Sequence, residues 1–101
     1  MNYQLRISEF AELDLLDAII WYEEQRSGLS NELELSVDAA LSLIKRSPAG
    51  FQVRYDDVRI AFTNRFPYGI HFIMEEKEII VIGIYHTSRD PERWLERRKK
   101  F

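Results

Sequence analysis

Residues Arg65–Asp90, RFPYGIHFIMEEKEIIVIGIYHTSRD, decide how this chain folds. Tyr68, Ile70, Phe72 and Met74 alternate with Gly69, His71, Ile73 and Glu75, the pattern of a strand with two different faces. Glu76 and Lys77 mark a turn. Ile79 to Tyr85 is then apolar at nearly every position, which suits a central strand covered on both sides. The polar cluster His86, Thr87, Ser88, Arg89 and Asp90 follows where that strand must end. A rigid sheet would hold such groups in reach of solvent, a common setting for function.

Working outward, Tyr3 to Ile7 alternates as a short strand. Ser8 is placed to cap a helix, with Glu9 and Glu12 at the positive end of its dipole. That helix should run to Gln25 or Arg26, burying Ala11, Leu15, Ala18 and Tyr22, with Leu16 and Ile19 widening the stripe. Leu13, Ile20 and Trp21 lie off its centre, more apolar surface than one buried stripe needs. Gly28 suits the helix exit. A second helix is expected from Ser30 or Asn31, with an Asn31–Glu34 capping box, and its stripe is Leu33, Val37, Ala40, Leu41 and Ile44. Ser47 to Gly50 ends it, and the short connection makes an antiparallel helical hairpin.

Phe51 to Tyr55 is a connecting or strand segment, and Asp56-Asp57 a turn. Val58, Ile60 and Phe62 alternate with Arg59 and Ala61 as a half-buried strand. Asp90-Pro91-Glu92 opens a last helix to Lys100, with Trp94 and Leu95 on its apolar side. The expected fold is therefore α+β: β-α-α-β-β-β with a short C-terminal helix, a mainly antiparallel sheet carrying the helical hairpin on one face. Residues 1–101 read as one domain. The other sheet face needs the tail helix, loops or another chain to cover it.

Composition narrows the function. The chain is 46% hydrophobic and 31% charged, which is globular. With no cysteine, thiolate metal sites, disulfides and a cysteine nucleophile are excluded, and a cytoplasmic setting is expected. The N-terminus shows no secretory signal pattern, and the longest apolar run is too short to span a membrane. The net charge of −3 conceals a division: residues 1–44 carry nine acids and two bases, residues 45–101 twelve bases and eight acids. The overall balance falls short of the basic field expected for phosphate-backbone binding. Two histidines on different strands, with no HExxH, predict no metal, and no glycine loop predicts a phosphate cofactor; no cofactor is expected.

One chemical constellation is possible. RNA cleavage through the 2′-hydroxyl needs a base, an acid and cations for the developing charge. His86 suits either proton role, Tyr85 an acid or a stacking surface, and Arg65 and Arg89 a phosphate clamp. The structural alternative is a strand-end histidine held by hydrogen bonds, a packed Tyr85, and a solvated basic helix end at Arg97-Arg98-Lys99-Lys100.

The segments WYEEQRSGLSNEL (Trp21–Leu33), IKRSP (Ile44–Pro48), VRIAFTNRFPYGIHF (Val58–Phe72) and HTSRDPERW (His86–Trp94) occur in one order across nearly the whole chain. In these the sequence resembles the ParE branch of the RelE/ParE toxin superfamily, the toxins of type II toxin–antitoxin modules, also called plasmid stabilisation proteins. The resemblance implies the fold already derived and a cognate ParD-like or related antitoxin, with operator DNA reached only through that antitoxin. It makes Leu13, Ile20 and Trp21 candidate antitoxin-docking residues. It implies inhibition of DNA gyrase through a surface of Arg59, Arg65, Arg89, Arg93, Arg97 and Arg98. The rival is a RelE-like ribosome-dependent mRNA endoribonuclease using Arg65, His86 and Arg89, with Tyr85 as a further candidate. A third reading is a non-toxic antitoxin-binding and co-repressor subunit. Gln52, Asp56 and Asp57 stand where the nuclease branch places lysines, which favours the gyrase branch.

Overall fold

The computed structural model describes residues 3–101. The order is β1 (Gln4–Ile7), α1 (Glu9–Gln25), α2 (Leu29–Arg46), a single 3-10 turn at Pro48–Gly50, β2 (Val53–Tyr55), β3 (Val58–Phe62), β4 (Tyr68–Glu75), β5 (Glu78–His86) and α3 (Pro91–Arg98). The strands form one five-stranded sheet in the order β1-β5-β4-β3-β2. The α+β architecture is the expected one, and the segment before Asp56 is a strand rather than a plain connection. β5 is interior, paired antiparallel with β4 and parallel with β1. A parallel pair needs a long crossover rather than a tight turn, and the whole chain from α1 to β4 lies between β1 and β5.

One side of the sheet meets the helical hairpin. Ile70, Phe72, Ile79, Val81 and Ile84 pack there with Ala11, Leu33, Val37 and Ile44. The other side gathers Val58, Ile73, Ile80 and Ile82, with Tyr55 and Phe101 against them. A bulge divides the pattern: His71 pairs with Gly83 but Phe72 with Val81, leaving Ile82 as the extra residue. Beyond it the residues facing each side are shifted by one. Tyr85 and His86 point to opposite faces as neighbours in a strand, and the shift puts Tyr85 on the α3 side and His86 on the hairpin side.

The local signals hold at both capped ends. Ser8 Oγ accepts from the Ala11 amide at 3.2 Å, and Asp90 accepts from the Glu92 amide at 3.0 Å.

The start of α2 corrects the sequence reading. It begins at Leu29, after Gly28 at φ 89°, and has no Asn31 cap. Glu23, on α1, supplies the acceptor instead. Its carboxylate accepts from the Gly28 amide at 3.1 Å and from the Ser30 hydroxyl at 2.6 Å. Those bonds, the Ser30 bond foremost, hold the Glu23 pKa below its ordinary value.

Three apolar residues also depart from expectation. Leu16 and Phe62 are exposed, the latter under the Arg54 guanidinium. Leu95 turns outward while Trp94 faces the sheet, and α3 ends at Arg98.

Candidate functional site

The end of β5 is a built junction. β1 stops at Ile7, whose partner is Val81, so β5 continues without a neighbour on that edge. Two side chains replace the missing strand. Asp14 of α1 accepts from the Ile84 amide at 3.0 Å, and Arg97 of α3 donates to the bulge carbonyl of Ile82 at 2.9 Å. They also bond each other through two contacts, 3.0 and 3.2 Å. The pair is mostly buried, with side chains 14% and 18% exposed. Burial opposes the charge on Arg97, but the Asp14 bonds outweigh it and its pKa is raised. One ion pair thus ties α1, β5 and α3 together.

Beneath α3 lies an aromatic cluster. The Trp94 ring stacks on Tyr85 at 6.2 Å and meets His71 edge-on at 4.7 Å. Tyr85 folds back over Gly83, where a Cβ would stand 2.4 Å from its ring, so only glycine fits there. The Arg97 guanidinium lies 5.2 Å from the Tyr85 ring centre. His71 is buried and its Nδ1 lies 2.8 Å from the Tyr55 hydroxyl. Burial, then the nearby charge of Arg97, pulls the His71 pKa down to about 3. Burial pushes Tyr85 up to about 12 and raises Tyr55 as well. At neutral pH the ring of His71 is therefore neutral and Tyr85 keeps its proton.

On the opposite face a cleft of about 350 Å³ opens between α1 and the end of β5. An edge-to-face row of rings lines it: Trp21 to Tyr22 at 4.8 Å, Tyr22 to Tyr68 at 6.1 Å, and Tyr68 to His86 at 5.4 Å. Asp17 and Arg89 complete its rim. His86 Nδ1 accepts from the Ser88 amide at 3.1 Å, which leaves Nε2 as the donor nitrogen.

The four residues read as a nuclease constellation are not brought to one place. His86 and Arg89 share the cleft, while Tyr85 is buried under α3. Arg65 lines a separate depression with Leu35, Ser36 and Asn64. It adopts φ 72°, an unfavourable region for a side chain of its size, and bonds Glu32 at 2.6 Å. That bond is the first cause of the lowered Glu32 pKa.

The arginines expected on a recognition surface divide in the same way. Arg59 is held by the Phe51 and Ala49 carbonyls. Arg98 makes a bidentate pair with Asp57 at 2.8 and 2.9 Å, and Arg97 is committed to Asp14. Arg89 and Arg93 are exposed and make no ion pair among the described residues.

The outward face of α1 carries the third feature. Leu13, Ile20 and Trp21 are 60%, 50% and 53% exposed, and Leu16 and Phe10 join them. On a helical wheel Leu13, Leu16 and Ile20 lie opposite the buried Ala11 and Ala18, and Phe10 and Trp21 flank that face. Sequence reading found this surplus. It missed Asp14, whose role depends on a partner 83 positions away, and it left Asp17 aside as one acid in an acidic helix.

The fold has a solved counterpart. The chain superposes on a chain of a chromosomal ParDE TA system from P. aeruginosa with a TM-score of 0.76, at 17% sequence identity, covering 85% of this chain and 97% of that one. The two share a fold. No protein-family model matches the sequence, and comparison with curated proteins finds no match. Among the described residues no group of three or more candidate ligands is gathered to hold a metal, and no helix is long and apolar enough to cross a membrane.

Proposed function

We propose that the chain is the toxin of a type II toxin–antitoxin module, acting as a ParE-type inhibitor of DNA gyrase and neutralised by a cognate, ParD-like antitoxin. The observation that carries this reading is the uncovered apolar face of α1, on a fold shared with a chain of a ParDE system. An exposed stripe of large apolar side chains on an otherwise well-packed small protein marks a surface meant for a partner. An amphipathic antitoxin helix laid along Leu13, Ile20 and Trp21 would cover it. Action on gyrase makes this a cytoplasmic protein.

The separation of Arg65, Tyr85 and His86 favours gyrase binding over RNA cleavage. General acid–base catalysis needs its groups within hydrogen-bond reach of one substrate. A recognition surface has no such requirement; Arg89 and Arg93 stay available for it, and Arg65 is exposed but paired with Glu32. Arg59, Arg97 and Arg98 act through the shape they maintain.

Induced expression without the antitoxin tests the proposal, with DNA synthesis, protein synthesis and transcript integrity followed over the first minutes. The expected result is an early stop in DNA synthesis with intact transcripts, unchanged in a His86→Gln variant. Early translation arrest with cleaved transcripts, abolished by His86→Gln, would replace the gyrase reading with a ribosome-dependent nuclease. Normal growth with folded protein would leave an antitoxin-binding, co-repressor role.

A further inference from the structure

We infer that the cleft between α1 and the end of β5 is an arginine socket. It receives a guanidinium from the partner at Asp17 and a neighbouring carboxylate at Arg89. The inference rests on the toxin–antitoxin reading for the identity of the partner, and on the cleft alone for its chemistry.

The charges in the cleft are of two kinds. Asp14 is fully engaged, by Arg97 and the Ile84 amide. Asp17 and Arg89 line the same cleft, yet neither forms an ion pair among the described residues, with the other or with anything else. The cleft therefore presents one unspent acceptor and one unspent donor. The rings of Trp21, Tyr22 and Tyr68 line the same cleft. A guanidinium is planar, weakly hydrated and stacks on aromatic faces while bonding a carboxylate. Lysine matches that combination less well, because its ammonium is compact and strongly hydrated.

Continuity with the apolar face identifies the occupant as a peptide. Trp21 belongs both to the cleft and to the exposed stripe of α1. A partner helix covering Leu13 and Ile20 would reach the edge of the cleft at Trp21, where a basic side chain could enter. Charge favours the same occupant. Residues 1–44 carry a net −7, a field that attracts a cationic segment and repels a nucleotide phosphate. Arg89 then takes an acidic group adjoining the arginine, so the motif is a basic residue beside a carboxylate.

The probe is Nα-acetyl-L-arginine, titrated into the labelled protein while the indole N–H signals of Trp21 and Trp94 are followed by NMR. The expected result is a saturable shift at Trp21 with Trp94 unmoved. Asp17→Asn, an exposed and structurally neutral change, should weaken binding by about tenfold, the scale of one charge-assisted contact. Arg89→Gln should reduce acetylarginine to the affinity of its methylamide, which lacks the carboxylate. An unmoved Trp21 signal, indifference to Asp17→Asn, or tighter binding of guanosine monophosphate would each overturn the socket. Failure of the toxin reading shows separately, as normal growth on induction, and leaves this titration unaffected. Failure of the socket leaves growth arrest intact.

Discussion

The two faces of the sheet are held by different physics. Toward the helical hairpin, Phe72, Ile70, Leu33, Val37 and Ile44 are fully buried and carry no charge. Toward α3, a short helix with no fully buried residue lies over the sheet. It is fixed by the Asp14–Arg97 and Arg98–Asp57 pairs and by the Trp94 stack. The first face gains from apolar area, which is non-directional and tolerant. The second has a smaller apolar patch of Val58, Ile73, Ile80 and Ile82, depends in addition on hydrogen-bond geometry, and leaves the Tyr85 hydroxyl and the Trp94 indole N–H without partners among the described residues, a known expense when polar atoms leave water. The hairpin face should therefore set global stability, and the α3 face should be the part that loosens first.

The largest expected effect breaks the first face. Phe72 has no solvent exposure and packs edge-to-face on Phe51 at 5.8 Å. Phe72→Ala should cost about 4 kcal/mol, the usual range for an aromatic lost from a core. For a domain of marginal stability that is a large share of the total. Urea denaturation should show a lower midpoint with one cooperative transition. A loss under about 1 kcal/mol would mean the hairpin face is not the main core.

Asp14→Asn addresses the second face. It leaves the Arg97 guanidinium without its countercharge in a mostly buried position and weakens the acceptor for the Ile84 amide. About 2–3 kcal/mol is expected, below the range for a fully buried pair because some solvent reaches both side chains. The signature that separates this from Phe72→Ala is local. Trp94 fluorescence should move to the red as α3 detaches, at urea concentrations where the far-ultraviolet signal of the long helices is unchanged. Coincident transitions would show that the two faces unfold as one unit.

The same contrast explains what was legible in the sequence. Periodicity is a property of local stretches, so the β4–β5 alternation, the α2 stripe and the surplus apolar face of α1 could all be read directly. So could the Ser8 and Asp90 caps, since each needs only residues two or three positions away. The α3 face was not legible, because its partners are distant: Asp14 and Arg97 look like two solvated charges until the fold joins them. The bulge at Ile82 was hidden in a wholly apolar run, where a shift of one residue leaves the pattern unchanged. Neighbours in a strand point to opposite faces in any case, so Tyr85 and His86 never share one; the bulge decides which face each takes, and the constellation inferred from their adjacency did not assemble. The absent Asn31 cap has a similar cause, since Glu23 reaches α2 from the helix before it.

The smallest effect sharpens the comparison through pH. His71 is sealed under α3, and its pKa is near 3 rather than the ordinary 6.5. Between those values the unfolded chain binds a proton that the folded chain refuses. Unfolding is then favoured as pH falls, so the stability His71 contributes is complete above pH 6.5 and declines toward pH 3. The slope is at most about 1.4 kcal/mol per pH unit, giving a loss of about 2 kcal/mol from pH 7 to 5. The lowered pKa values of Glu23, Glu32 and Asp57 act in the same direction, but only below their ordinary values of 4.5, 4.5 and 3.8, outside that interval. His71→Gln keeps an acceptor for Tyr55 and cannot titrate, so its stability should be flat where the native protein declines. Parallel curves would mean that the ring is not sealed. Asp14→Asn should also flatten the decline, because a loosened α3 admits water to His71. That result would link the ion pair at the edge of the sheet to the buried ring at its centre.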